Sequence, residues 1–342
     1  MIAPCRPVLP VLALLLSGAI ASAHAETVAE FYRGKAVTLV DYSSGGGNDV
    51  LAHLIAAHIK KFIPGNPTVI VKSIIGAAGV QEANYLYSTA PKDGTVFGTL
   101  NRGIAFAKLF GATAAQFDPL RFNWIGNTTR DVLLGASWQT SPVKTIADAR
   151  KTELIVGATA PDGETAQVPM ALNATTGTKF KVVYGYSGGS EILIAMERGE
   201  IGGRLSWTYE SLVSTNPDWL RDGKINILFQ SGKTADPRLP TVPLALDYAK
   251  GPMERRVLEL IFSKLEMSRP YTLPPDVPAD RVAALGDAFM ATMADPEFRA
   301  AAAKAQIDLS PIDGKEVRAI VEQAVSSPPE IIQRVRQILG SH

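Results

Sequence analysis

The chain is poor in the features that mark many functional classes. It holds one cysteine, Cys5, in 342 residues, and this precedes the first apolar run. No disulfide or cysteine-held metal is therefore expected in the folded part. Charge of one sign is lacking as well: Lys and Arg total 34 against 33 Asp and Glu. Without Arg6, which stands in the leader described below, the two signs balance, so there is no basic excess to draw a nucleic-acid partner. Beyond residue 25 no stretch is apolar enough for the ~20 residues a membrane span requires. No fixed-period repeat and no low-complexity tract is visible. His53 and His58 are five apart and so on different faces of one helix, unlike the i, i+4 pair of a zinc helix. Neither a metal nor a cofactor is expected.

What is present begins with a leader. Arg6 gives a positive start, Val8 to Ile20 is apolar, and Ala23-His24-Ala25 is an A-x-A cleavage pattern. Residues 1–25 thus read as an export signal cut after Ala25, placing the remainder in an exported compartment; an uncleaved membrane anchor is the alternative, against which the apolar run is shorter than the ~20 residues a span requires. At 342 residues, 46% hydrophobic and 20% charged, the chain is large enough for two cores, though length alone leaves one domain or two open.

The organising stretch is Tyr42-Ser43-Ser44-Gly45-Gly46-Gly47-Asn48-Asp49. Ala36 to Val40 before it reads as a buried strand; Leu51, Leu54, Ile55, Ile59 and Phe62 after it recur at helical spacing. The unit is strand, glycine turn, helix, with Asn48 as the expected N-cap. Glycines let the backbone approach a ligand, and the unpaired N–H groups of a helix start favour an anion. A plain strand-to-helix turn that binds nothing is the alternative on these residues alone. No Gly-Lys-Ser/Thr follows, the glycines do not fall as G-x-G-x-x-G, and Ser187-Gly188-Gly189-Ser190 is no nucleophile elbow.

The logic recurs along the chain. Thr68 to Lys72 is a second strand, followed by Ile75-Gly76-Ala77-Ala78-Gly79 and a helix from Val80 to about Ser88. Thr95 to Leu100 is a third strand, with the loop Asn101-Arg102-Gly103 and a helical stretch Ile104 to Phe110 behind it. An extended run from Ile125 to Trp138 crosses to a second alternating block. There the helix Val143 to Arg150 precedes the strand Leu154 to Ala158 and the turn Ala160-Pro161-Asp162-Gly163. The helix Glu164 to Thr175 and the strand Lys181 to Val183 follow. Tyr184 to Ser190 repeats the glycine-serine-aromatic chemistry before a helix to Arg198. Ile201 to Ser206 is a further strand, and Ile225 to Gln230 one that returns to the first block. Helices at Gly251 to Phe262, Ala279 to Ala294, Pro296 to Lys304 and Gly314 to Val325 are expected to cover the first sheet. Leu239 to Leu244 and Tyr271 to Pro278 read as loops. The result is an α/β chain of two lobes with ligand loops at the carboxyl ends of parallel strands.

Eight ordered signatures carry a resemblance. They are the stretches Tyr42 to Asp49, Gly76 to Gly79, Ala90 to Thr95, Phe117-Asp118-Pro119, Pro142 to Thr145, Tyr186 to Ser190, Leu239 to Pro243, and Pro274 to Pro278 with Ala294 to Phe298. Residues 26–342 resemble the periplasmic receptors of tripartite tricarboxylate transporters, the Bug family. The resemblance implies a two-lobed type II periplasmic-binding fold, each lobe a mainly parallel sheet flanked by helices. It divides the chain into 26–130 with 231–342 as one lobe and 131–230 as the other. It implies a carboxylate ligand held by Ser43, Ser44, Gly45, Gly46, Asn48 and Asp49 of the first loop and Gly76, Ala77, Ala78 and Gly79 of the second. Thr159, Ala160, Tyr186, Ser187 and Gly188 would close over it from the second lobe. The implied partners are a small organic carboxylate and two integral-membrane transporter subunits, and the receptor is expected to be a monomer and not an enzyme. The family commonly has prolines where Ser43 and Ser44 stand and glycine at Ala78, and many members carry an acid near Ser206-Trp207.

Arg102 and Arg204 are candidates to clamp a dicarboxylate or aromatic acid through paired hydrogen bonds, against the alternative of ordinary ion pairs. Tyr42, Tyr186 and Trp207 either stack on a planar ligand or wall the cleft. Two other classes stay open: a secreted hydrolase or isomerase with Asp49, Glu164 or Glu191 as base, and a sensory binding protein for a receptor kinase.

Overall fold

The computed structural model describes residues 26–340 except Asp162. The export signal, its cleavage after Ala25, Cys5 and Asp162 of the expected turn lie outside the described residues.

Eleven described strands form two sheets. The first comprises β1 (Ala36–Asp41), β2 (Thr68–Ser73), β3 (Val96–Thr99) and β4 (Asn123–Asn127), with β10 (Pro270–Leu273) and β11 (Ile312–Asp313); the second comprises β5 (Leu133–Trp138), β6 (Leu154–Gly157), β7 (Phe180–Val183), β8 (Gly203–Thr208) and β9 (Ile225–Ser231). Their spatial orders are β2-β1-β3-β10-β4-β11 and β7-β6-β8-β5-β9. β1 runs parallel to β2 and β3, and β6 parallel to β7 and β8. Into each parallel set one antiparallel strand is inserted, β10 between β3 and β4 and β5 between β8 and β9. Both inserted strands directly follow a crossing of the chain, so one topology is built twice and the lobes are tied by two connections.

Most expected elements are present, with shifts at their ends. The run from Ile125 to Trp138 is the end of β4, a crossing at 128–132, and β5. β9 stays in the second sheet, and the chain returns only after it. The stretch Ile104 to Phe110 contracts to a single 3-10 turn, Ile104–Phe106, and the helix Val143 to Arg150 to Ile146–Ala149. The largest correction concerns the expected loop from Tyr271 to Pro278, whose first residues form β10 in the middle of the first sheet. All four β10 residues are buried, so no polar alternation marks the strand, and Pro270 is tolerated as its first residue.

Helix faces follow burial. In the helix Gly46–Ile59, Leu51, Ile55 and Ile59 are fully buried, joined by Ala52 and Ala56, and they pack with Leu39, Phe97, Phe289 and Phe298 on one face of the first sheet. The second sheet has its own cluster around Leu134, Ile192, Met196, Trp207 and Trp219. A third cluster spans both lobes, from Phe106 and Leu133 through Val156 and Leu172 to Leu258 and Val335. It corrects the expectation that the helix Gly251 to Phe262 covers the first sheet. Ala279–Ala294 and Gly314–Val325 pack on β4, whereas Pro252–Phe262 and Pro329–Leu339 pack on each other and on the second-lobe helix Glu164–Thr176.

Candidate functional site

The first glycine loop leaves β1 at Asp41, whose fully buried carboxylate accepts from the Ser43 amide (3.1 Å) and hydroxyl (2.9 Å). Burial pushes the Asp41 pKa up, against the pull of those two bonds. Gly45 and Gly46 have φ of +92° and +76°, a conformation glycine adopts without a Cβ penalty. The helix Gly46–Ile59 then opens on Gly45 with no side-chain cap. Asn48, the expected N-cap, instead lies inside the first turn and donates to the Tyr42 hydroxyl. Residues 44–47 are exposed, so the first-turn amides face outward with the positive end of the helix dipole. Asp49 stands 3.5 Å from the His53 ring.

The second loop is tighter. Gly76, Ala77, Ala78 and Gly79 all have positive φ, at +150°, +45°, +53° and +98°; two left-handed alanines in succession are a strained arrangement. The helix Val80–Ser88 also opens without a side-chain cap. A Cβ on buried Gly79 would lie 3.4 Å from the Cβ atoms of both Asn101 and Tyr42, so the three first-lobe loops meet at this glycine.

Arg102, on the third loop, is an ion-pair residue. Its guanidinium binds Asp131 at the crossing and Glu164 at the start of the second-lobe helix. Glu164 also accepts from Lys264 (3.0 Å) and from the Ser206 hydroxyl (3.0 Å). Burial works to raise the Glu164 pKa, but Lys264 and Arg102 hold it down at about 2. This favours the ion-pair alternative for Arg102 over the clamp.

In the second lobe the loop amides are more occupied. The Thr159 amide donates to the Thr165 hydroxyl (3.1 Å), and the Ala160 carbonyl accepts from Gly163 (3.1 Å). Tyr186 donates weakly to the Ala158 carbonyl (3.4 Å), and the Ser187 amide is taken by the Glu191 carboxylate (2.8 Å). Gly188 precedes a helix, Gly189–Glu197, that has no side-chain cap. Arg204 has no carboxylate partner among the described residues. One of its nitrogens reaches the Gly189 carbonyl at 3.3 Å, its Nε is buried and unbonded, and its guanidinium lies 5.1 Å from the Trp207 ring. Burial pushes its pKa down to about 10. Trp207 is fully buried against Trp219, so it walls the lobe.

One residue near the first loop was not legible as a site residue. Arg269 sits directly before β10. Because β10 is antiparallel, its amino end lies at the carboxyl edge of its parallel neighbours, where the loops gather. Arg269 shares a polar cavity of about 260 Å³ with Tyr42, Asn48, Asn101, Arg102 and Asp131. Reading β10 as a central strand was the signal that would have found it.

The sequence matches no family model and no curated protein. Solved structures are similar in fold. A TctC solute-binding protein from Polaromonas superposes with a TM-score of 0.69 at 17% identity, over 91% of this chain and 100% of that one. The periplasmic binding protein BugD gives 0.60 at 17% identity, over 90% and 98%. A protein of R. palustris with adipate gives 0.59 at 20% identity, over 90% and 97%. The chain has the two-lobed α/β fold of these periplasmic binding proteins, with its helix-opening loops gathered at the edge between the two sheets.

Proposed function

We propose that this protein is an extracytoplasmic solute receptor that captures a small organic carboxylate between its lobes without chemical turnover. The observation that carries the reading is the uncapped, exposed opening of the helix Gly46–Ile59 at the carboxyl edge of β1. Free amides and a helix dipole there bind an anion through groups that carry no formal charge. The adipate-bound neighbour of the same fold supports the ligand class. The leader's A-x-A pattern supports export with cleavage behind Ala25, and by the family resemblance the receptor acts as a monomer and delivers its ligand to two integral-membrane subunits of a tripartite tricarboxylate-type transporter. The carboxylates nominated as bases are engaged elsewhere: Glu164 with Arg102 and Lys264, Glu191 with the Ser187 amide, and Asp49 beside His53.

A thermal-shift panel of di-, tri- and aromatic carboxylates tests this. An acid at ~100 times its dissociation constant adds roughly 2.7 kcal/mol of apparent stability, so at least one should raise the melting temperature and be recovered intact by mass spectrometry. Chemical conversion of that acid, or no shift with any, overturns the reading.

A further inference from the structure

Besides Arg102 and Arg204, a third cation stands at the glycine loop that opens the site. A Cβ built on Gly47 would lie 3.6 Å from Nη2 of Arg269, so this guanidinium stands at the first turn of the helix Gly46–Ile59. A cation at a helix amino terminus is electrostatically unfavourable, because the dipole presents the same sign. Pairing with an acid would offset this. Yet Arg269 has no carboxylate within ion-pair distance among the described residues, although neighbouring Arg102 has two. The Arg269 amide is tied to the Asn127 side chain at 2.8 Å, which fixes the backbone from which the guanidinium projects. Arg269 and, from the first turn, Asn48 thus line one polar cavity with Tyr42, Asn101, Arg102 and Asp131. The Asp131 carboxylate is taken by Arg102, so an anion there would complement the uncommitted Arg269 guanidinium and the helix opening beside it.

We infer that Arg269, and not Arg102, is the cation that grips the ligand carboxylate, acting together with the first-turn amides of Gly46 to Asn48. Asp131 and Glu164 already neutralise Arg102, so a ligand on that residue would first have to displace a protein carboxylate. Arg269 needs no such exchange. A planar guanidinium on one side and backbone donors on the other suit a flat, bidentate carboxylate better than a tetrahedral anion. The assignment rests on the receptor reading above and names the group that gives it strength.

The test is calorimetric titration of the purified protein and its Arg269→Ala, Arg269→Gln and Arg269→Lys variants with succinate, malate, adipate and benzoate, alongside ligand-free melting curves. The expected result is a roughly 10- to 100-fold loss of affinity in R269A and R269Q, a smaller loss in R269K, and ligand-free melting temperatures no lower than that of the unaltered protein. Unchanged affinity in R269A, with the unaltered protein binding one of the acids, overturns this assignment alone. So does a loss of affinity accompanied by lowered ligand-free melting temperatures in both neutral variants, which would make Arg269 structural. Failure of the unaltered protein to bind any of the acids overturns the receptor reading and this assignment together.

Discussion

Arg102 and Glu164 stand on opposite lobes and are joined by a direct ion pair, with about a fifth of each side chain exposed. Lys264 and Asp131, on the two segments that connect the lobes, extend the pair into a four-residue network. Removing one partner of a fully buried pair costs about 3–5 kcal/mol; partial exposure places this pair below that range. Glu164→Gln should therefore lower stability by about 1–3 kcal/mol. It should also open the ligand-free molecule, increasing its radius of gyration in small-angle scattering. An identical scattering curve would show that the pair does not hold the lobes together.

The same network sets an acid limit. The Glu164 pKa is near 2 when folded, against a usual 4.5, so the folded state holds the proton less tightly than the unfolded chain. Its stabilisation is complete above pH ~4.5 and is lost as the pH falls toward 2. Over this window the melting temperature of the unaltered protein should fall more steeply than that of Glu164→Gln.

Glu82 presents the opposite sign. It is fully buried, neither carboxyl oxygen has a hydrogen-bond partner among the described residues, and burial, with a smaller push from Asp41, raises its pKa well above 4.5. The folded state binds that proton more tightly, so the stabilisation is present at low pH and decays as the pH rises from about 4.5 toward the folded value. Glu82→Met, of similar length and without a polar atom, should raise stability at neutral pH by about 1–3 kcal/mol. It should also flatten the decline toward alkaline pH, which denaturant melts at several pH values would measure.

How far the sequence revealed this architecture depended on whether the signal was local. The helices Ala279–Ala294, Pro296–Lys304 and Gly314–Val325 were legible to their ends, because Pro278, Asp295-Pro296 and Asp313 mark their starts. The two-lobe alternation was legible because each parallel strand is a short apolar run followed by small residues. β10 was not, since its role comes from β3 and β4, which are more than 140 residues away in the chain. Arg269 was missed for the same reason. Arg102 was legible as a residue of the loop after β3, but its partners Asp131 and Glu164 are brought to it only by tertiary contact. The helix Pro329–Leu339 was missed although Ile331, Val335 and Ile338 recur at helical spacing.

Gly45 and Gly46 separate backbone geometry from packing. A Cβ on either would meet no heavy atom within 4 Å, so the cost of substitution is conformational. Gly45→Ala or Gly46→Ala should each destabilise by about 1–2 kcal/mol through the positive φ. If the loop relaxes to avoid that strain, its amides turn and carboxylate affinity falls. Titration at a temperature where both variants are folded would measure it; full affinity in both would mean that these amides do not hold the ligand.

Arg204 is a part-buried cation that has no acid partner among the described residues and stands beside the opening of the second-lobe helix Gly189–Glu197. Burial already works against its charge, so Arg204→Met should leave ligand-free stability unchanged or slightly raised, which an ion-paired arginine would not allow. If Arg204 receives the far end of the ligand, the same variant should weaken a dicarboxylate such as adipate by roughly tenfold. A monocarboxylate held only at the first-lobe loops should change by no more than about twofold. Equal losses for both ligand classes would mean that the variant distorts the cleft and that Arg204 reads no second charge.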